Sequence, residues 1–176
     1  RRKTAELRAA EDRYLFHTLI EHIPDSIYFK NRESRFVLAN TATANKLGVP
    51  TPADLTGRTD DYFFDQTMSD ISRKEEMDIM VTGRPIRARL HHETWLHKDD
   101  SWSQISKFPW YGRNGELKGI VGISSDVTKL VKTEIKATET ARILEERNRT
   151  LEKEIDLARE IQFALLPYEI PSRSHT

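Results

Sequence analysis

The run from Ile86 to Val127 decides how this chain folds. It reads IRARLHHETWL from Ile86, SWSQISKFPWYG from Ser101 and LKGIVGISSDV from Leu117. Polar and apolar residues alternate in each piece, the period of a strand with one face on a core. GRNGE, from Gly112, supplies turn residues between the last two. The same period appears upstream in SIYFKN from Ser26 and RFVLAN from Arg35, a hairpin across a polar turn. Between the pair and the triplet lie short helical pieces broken by Gly48, Pro50, Pro52 and Gly57. A longer one, MSDISRKEEMDIMVTG from Met68, is closed by Gly83. Two strands, small helices and three strands predict an α+β fold, a five-stranded antiparallel sheet with helices on one side.

Outside this region the period changes. From Thr4 to about His22 there is no Gly or Pro, and Leu7, Ala10, Tyr14, His17 or Thr18, and Ile20 mark an amphipathic helix that Pro24 ends. Downstream, LEKEIDLAREIQFALLP runs from Leu151 to a stop at Pro167. The expected division is an N-terminal helix over 1–23, the sheet domain over 24–126, a long linker helix over 127–167 and a tail over 168–176. The chain begins at Arg1 without a methionine and reads as a fragment excised from a longer protein.

Composition removes several classes of function. The 28 basic and 28 acidic residues cancel, so no net field draws the chain to nucleic acid or anionic lipid, and neither is an expected partner. Having no cysteine, it has no disulfides, thiolate zinc sites, cysteine nucleophiles or cysteinyl flavin adducts. No apolar run reaches about 18 residues and no signal peptide opens the chain, so the cytoplasm is the expected location.

The order IPDSIYFKN, FVLANTATANKLG, LTGRTD, TGRP and GIVGISSDVT resembles a PAS (Per-Arnt-Sim) sensory domain over Phe16 to Thr128. The resemblance implies a sheet and helices enclosing a small cavity, which in some members holds haem, flavin or a metabolite and in others nothing. SDVT resembles the family's Asp-Ile-Thr junction between last strand and output helix, which makes Asp126, Val127 and Thr128 the signal-transfer junction. The residues agree, since an Asp just before a helical run accepts hydrogen bonds from the first free backbone N–H groups. That role is also complete as a plain cap with no part in signalling.

A heptad begun at Val127 places Glu134, Ala141, Asn148, Ile155 and Gln162 at a, and Leu130, Ala137, Leu144, Leu151, Ala158 and Leu165 at d. The d row is wholly apolar. Asn148 at a is the kind of polar residue that specifies two strands in one register at some cost in stability. In a parallel dimer Arg147 at g faces the partner's Glu152 at e, and Glu154 faces the partner's Arg159, so both signs match. A parallel homodimer is the expectation, and a solitary surface helix packed on the sheet the alternative.

AREIQ from Ala158 and LLP from Leu165 resemble the linker helix that precedes the catalytic domain of bacterial PPM-class serine/threonine phosphatases, those similar to the sporulation phosphatase and general-stress regulators. The resemblance implies a further domain that binds manganese or magnesium through aspartates and dephosphorylates an anti-sigma-factor antagonist. These residues hold no catalytic motif: Asp60 with Asp61 and Asp99 with Asp100 are paired carboxylates of the kind that cap helices or shape loops. The competing expectation is a PAS sensor on another output, a histidine kinase or a cyclic-dinucleotide synthase, whose linkers are also coiled coils.

No cofactor is expected. His91 and His92 are adjacent on a strand and point to opposite faces, His97 lies near a turn, and the helix from Met68 carries no histidine where haem-binding relatives place their iron ligand. An unidentified small organic ligand remains open. Trp95, Trp102, Phe108 and Trp110 could line its pocket, but aromatics on alternating strands are more often core or a dimer surface.

Overall fold

The computed structural model describes residues 2–165, so Pro167 and the 168–176 tail lie outside the described residues. Contacts divide the chain into two compact units that meet at Lys129 and Leu130.

In the first unit, helix α1 (Arg2–His22) leads into strands β1 (Ser26–Asn31) and β2 (Phe36–Ala39). Helix α2 (Thr41–Leu47), 3-10 turns at Pro52–Leu55 and Asp60–Tyr62, and helix α3 (Gln66–Thr82) follow. Strands β3 (Ile86–Glu93), β4 (Ser101–Tyr111) and β5 (Leu117–Asp126) complete one antiparallel sheet in the order β2-β1-β5-β4-β3. The predicted α+β architecture and five strands are present. The stretch from Ile86 ends as a strand at Glu93, with Trp95 and Leu96 in the loop beyond.

The helices cover one face of the sheet, where Tyr28, Phe36, Leu55, Phe64, Met68 and Ile79 share a core. Gly122 makes that face possible at one point: a Cβ there would run into the Tyr28 ring across the β1–β5 ladder. Gly83 closes α3 in the left-handed conformation, φ 69°, its N–H donating to the Ile79 carbonyl at 2.8 Å.

Asn40 ties three elements together. Its Oδ1 accepts from the Ile27 N–H in β1 and the Thr43 N–H in α2, each at 3.0 Å, and its Nδ2 donates to the carbonyls of Ile20 in α1 (2.8 Å) and Asp25 (2.9 Å). Apart from this anchor, α1 is less orderly than predicted. Ile20 is buried, but Leu7, Tyr14, Leu15 and Leu19 are exposed and spread around the helix, so the apolar stripe is not confined to one side.

Both sheet edges are irregular. β2 has four residues, and its Phe36 N–H and carbonyl are taken up by the Arg58 carbonyl and Gly57 N–H. β3 bulges between Ile86 and Arg89, with Ala88 at φ 47° and its N–H donating to Ser106 Oγ at 2.9 Å.

The second unit continues helix α4 (Thr128–Leu165), unbroken for 38 residues with no side chain buried. At a 1.5 Å rise it is roughly 57 Å long.

Replacing Asn40 by alanine leaves buried backbone donors and acceptors from three elements unpaired. The expected loss is about 3 kcal/mol or more of unfolding free energy, read from the shift of a urea transition at unchanged slope. A loss under about 0.5 kcal/mol would show that the three elements are held together otherwise.

Candidate functional site

Strand alternation puts Tyr28 and Lys30 of β1, and Ser103, Ile105 and Lys107 of β4, on the face beneath the helices. Lys30 is 1% exposed. Its Nζ donates to Asp60 Oδ2 and Glu76 Oε1, both at 2.7 Å, joining β1 to the second 3-10 turn and α3. Lys107 Nζ lies 3.1 Å from Glu75 Oε2 and donates to Ser72 Oγ at 3.0 Å. Glu75 Oε1 also meets His91 Nε2 at 3.0 Å and accepts from Arg89 Nη1 at 2.8 Å, at the rim.

Opposite charges hold Lys30, Asp60 and Glu75 in their ionised forms against burial. Burial alone would lower the Lys30 ammonium, but Asp60 and Glu76 outweigh it and raise its pKa. Burial would likewise push the Asp60 carboxyl up, yet Lys30 and Lys107 hold it below its ordinary value. Glu75, against the same burial penalty, is brought down to about 2 by His91, Lys107 and Arg89. The Tyr28 phenol goes the other way: burial and then the Glu76 charge raise it well above its usual value, so it stays protonated.

A second polar centre faces it. Lys46 of α2 sends its Nζ to Glu93 Oε1 (2.8 Å), Ser103 Oγ (2.7 Å) and Ser124 Oγ (2.8 Å), one acceptor on each of β3, β4 and β5. Glu93 Oε2 accepts from Ser101 and Ser103. Between the two centres lies a cavity of about 40 Å³, with Tyr28, Asp60 and Lys107 on one side, Lys46, Glu93 and Ser124 on another, and Phe64, Met68 and Ile105 closing it. Lys46, Ser26 and Ser124 also border a more open pocket of about 210 Å³ that reaches Trp95, Lys98 and Asp126.

The predicted junction is a hydrogen-bonded joint. Asp126 Oδ1 accepts from the Thr128 N–H at 2.8 Å, and hydrogen bonding to the Thr128 side chain and then to its backbone holds the carboxyl below its ordinary value. The Val127 N–H donates to the Trp102 carbonyl at 2.8 Å, and the Trp102 N–H donates to Thr128 Oγ1 at 2.9 Å. β4 therefore grips the residue that opens α4. Trp102 had no sequence signal for this role, because it acts through its backbone.

Other expectations are redistributed. Trp102, Phe108 and Trp110 lie on the outer sheet face, where Trp102 stacks on His92 at 4.6 Å and Trp110 meets Phe29 at 5.3 Å. Trp95 packs on Phe64 at 4.2 Å and borders the open pocket. None of the four lines the cavity: alternation sends the three on β4 to the outer face, and Trp95 packs against the core from the loop after β3, so they are core and surface aromatics, the reading that the sequence favoured. Asp60 is likewise no mere turn former, since its carboxylate pairs with a buried lysine, whereas Asp61 is half-exposed with Arg73 at 3.4 Å. His91 points inward and His92 outward, as predicted.

Along α4 the seam residues Leu130, Leu144, Leu151, Ile155 and Leu165 are all exposed. Arg142 bonds Glu139 and Glu146, and Arg149 bonds Glu145, at b, e and f positions away from that seam. Ile135, Ile143, Leu157 and Phe163 at b and c are exposed too. Arg159, predicted to meet Glu154 of a second helix, lies 3.6 Å from Asp156 of its own. No described helix is long and apolar enough to cross a membrane, and no group of three or more potential metal ligands occurs among the described residues.

Comparison with known proteins agrees with the geometry. Residues 20–132 match the family described as PAS fold. Among curated proteins the chain is 23% identical over 129 residues to the methanogenesis regulatory histidine kinase FilI of Methanothrix harundinacea, and 31% identical over 111 residues to a diguanylate cyclase of Vibrio cholerae. These alignments cover 73% and 60% of the chain but only 14% and 33% of those proteins. Among solved structures, the PAS domain of Bordetella pertussis BvgS superposes with a TM-score of 0.53 at 24% identity, over 74% of this chain and 98% of that one. The Vibrio cholerae VqmA dimer gives 0.58 at 22% identity, over 64% and 50%.

Two outcomes follow from the buried charges. Glu75 is depressed in the folded state, so the stability it contributes is in place above its unfolded pKa of about 4.3 and is lost as pH falls from there towards its folded value. Melting temperature should drop through that window, and Glu75→Gln should flatten the drop. Lys30→Met, which strands two buried carboxylates, should cost about 3–5 kcal/mol in chemical denaturation. An unchanged transition would mean the lysine is dispensable.

Proposed function

The chain belongs to the PAS family, and on that footing we propose that it is the sensory and regulatory region of a bacterial signal-transduction protein, acting as a parallel homodimer. Within that protein it sets the activity of an output domain that follows α4. The observation that carries the reading is the joint at Trp102, Val127 and Thr128, which makes the last turn of the sheet domain and the first residue of a 38-residue helix one hydrogen-bonded piece. A repacking of the cavity that shifts β4 has a direct handle on that helix. The exposed a and d positions, with Asn148 among them, support pairing of two such helices. VqmA, a structural relative, is itself described as a dimer.

The output we assign is a PPM-type serine/threonine phosphatase using manganese or magnesium, with an anti-sigma-factor antagonist as substrate. Its support is the resemblance of AREIQ and LLP to that family's linker helix. A second reading, a histidine kinase or cyclic-dinucleotide synthase, is favoured by the two curated relatives, one of each kind.

The mechanism proposed is a change in the rotation or pairing of α4, because a coiled-coil seam must keep facing its partner. Seven residues inserted after Ala137 in the full-length protein should preserve regulation. Four should abolish it, since on a 3.5-residue repeat they advance the phase by about 50° beyond a full turn. The readout is release of phosphate from the phosphorylated antagonist, with autophosphorylation and cyclic-dinucleotide synthesis assayed alongside to separate the outputs. Equal behaviour of the two insertions would make the helix a tether.

Light scattering should give twice the monomer mass at micromolar concentration. Asn148→Leu should raise the melting temperature while broadening the distribution of oligomers, as expected when a polar seam contact becomes apolar. A monomer at that concentration would sink the dimer reading.

A further inference from the structure

We propose that the groove on the outside of the sheet unit, between α3 and the edge strand β3, docks a peptide segment of a partner protein in which an acidic residue is flanked by aliphatic ones. The inference goes beyond the sensory reading by giving the sheet unit a partner surface of its own, apart from the helix that leaves it.

Charge is the first argument. The chain as a whole balances 28 basic against 28 acidic residues, but the stretch from Ile79 to His92 carries Arg84, Arg87 and Arg89 and no carboxylate. All three arginines are exposed. Arg87 lies over the Phe108 ring at 5.1 Å, whereas Arg89 turns to the helix and donates from Nη1 to Glu75 Oε1 at 2.8 Å. A charged edge strand is also the ordinary guard against edge-to-edge aggregation. That duty asks for charge alone, and it does not account for the groove beside the strand.

The make-up of the groove is the second argument. It has a volume of about 320 Å³ and runs between Met68, Ile71 and Glu75 of α3 and Arg89, Leu90 and His91 of β3. Ile71 is 46% exposed and Leu90 50%, apolar surface that is costly to leave in water. The Arg89 side chain is 55% exposed and has given one N–H to Glu75, so the rest of its fork is presented to an incoming carboxylate. The wall is also short of hydrogen bonds. His91, 6% exposed, holds Glu75 through Nε2 and has no partner for Nδ1, an uncommon state for a buried ring nitrogen. A peptide brings backbone N–H and C=O groups to such a wall. One guanidinium set among aliphatic side chains, with a carboxylate next to it, suits a single acidic residue. A nucleic-acid backbone needs cations in series.

A library of capped octapeptides randomised over aspartate, glutamate, lysine, serine, leucine and valine tests the proposal. Selection on the protein should enrich acidic residues flanked by leucine or valine. In amide-resolved NMR titrations the best of these peptides should give saturable shifts at Ile71, Leu90 and His91. Arg89→Gln should weaken its binding roughly tenfold, the worth of one charge-assisted hydrogen bond at a half-exposed site. Leu90→Ser, which leaves every charge in place, should weaken it severalfold through lost apolar contact. Salt raised from about 0.05 M to about 0.5 M should weaken wild-type binding more than that of Arg89→Gln, because it screens the charge that the variant lacks. No enrichment, enrichment of lysine-bearing or uncharged peptides, shifts confined to other parts of the sheet unit, or equal affinity in Arg89→Gln would overturn the proposal. Saturable binding of oligothymidylate at these residues in place of peptide would make the partner a nucleic acid and overturn it as well. A mass above the dimer that Arg89→Gln abolishes would make the occupant a second copy, with the same result. The helix-phase insertions leave this groove intact, so the sensory reading is tested separately.

Discussion

An ammonium in a protein interior must have its charge answered there, and in this chain that requirement organises the sensory unit. Lys30 can be 1% exposed only because Asp60 and Glu76 both reach it at 2.7 Å. Those carboxylates come from a 3-10 turn and from α3, so the helical layer is seated on the sheet by charge as well as by apolar burial. Lys107 with Glu75 repeats the arrangement two strands away, and Lys46 with Glu93 repeats it on the far side of the cavity. Salt bridges of this kind add little net stability over a well-packed apolar core, but losing one partner is severe, which makes them devices for specifying a single arrangement. Here they also leave a polar hollow where an all-apolar core would have closed.

Much of the fold could be read from the sequence because its punctuation is local. Ser26–Asn31 emerges with the predicted bounds, Gly83 ends α3 where a left-handed residue was needed, and Asp126 accepts from the Thr128 N–H that opens α4. The cavity was not legible, for a physical reason. SIYFKN carries large apolar groups on both faces of its strand, so alternation alone cannot say that Tyr28 and Lys30 point inward while Phe29 points out. Asp60 gave no signal either, since its partner Lys30 lies thirty residues away in sequence and only the folded chain brings them together.

The long helix shows the opposite balance. That the segment is one helix was legible, because it holds no Gly or Pro, and the chain is helical without a break from Thr128 to Leu165. What one chain does not display is the pairing across two chains. Leu144, Leu151 and Ile155 lie open along a helix that buries none of its side chains, a state in which apolar surface is costly to leave in water.

The two irregular edges of the sheet bear on how copies of this domain can meet. An open edge is a template for strand addition, by which folded domains join into continuous sheets and fibres. Here Gly57 and Arg58 pair with Phe36 on one edge strand, and the other edge strand bulges at Ala88 against β4. Sheet growth from domain to domain is therefore disfavoured at β2, where Phe36 is already paired, and at β3, where a bulge adds local twist to the edge strand.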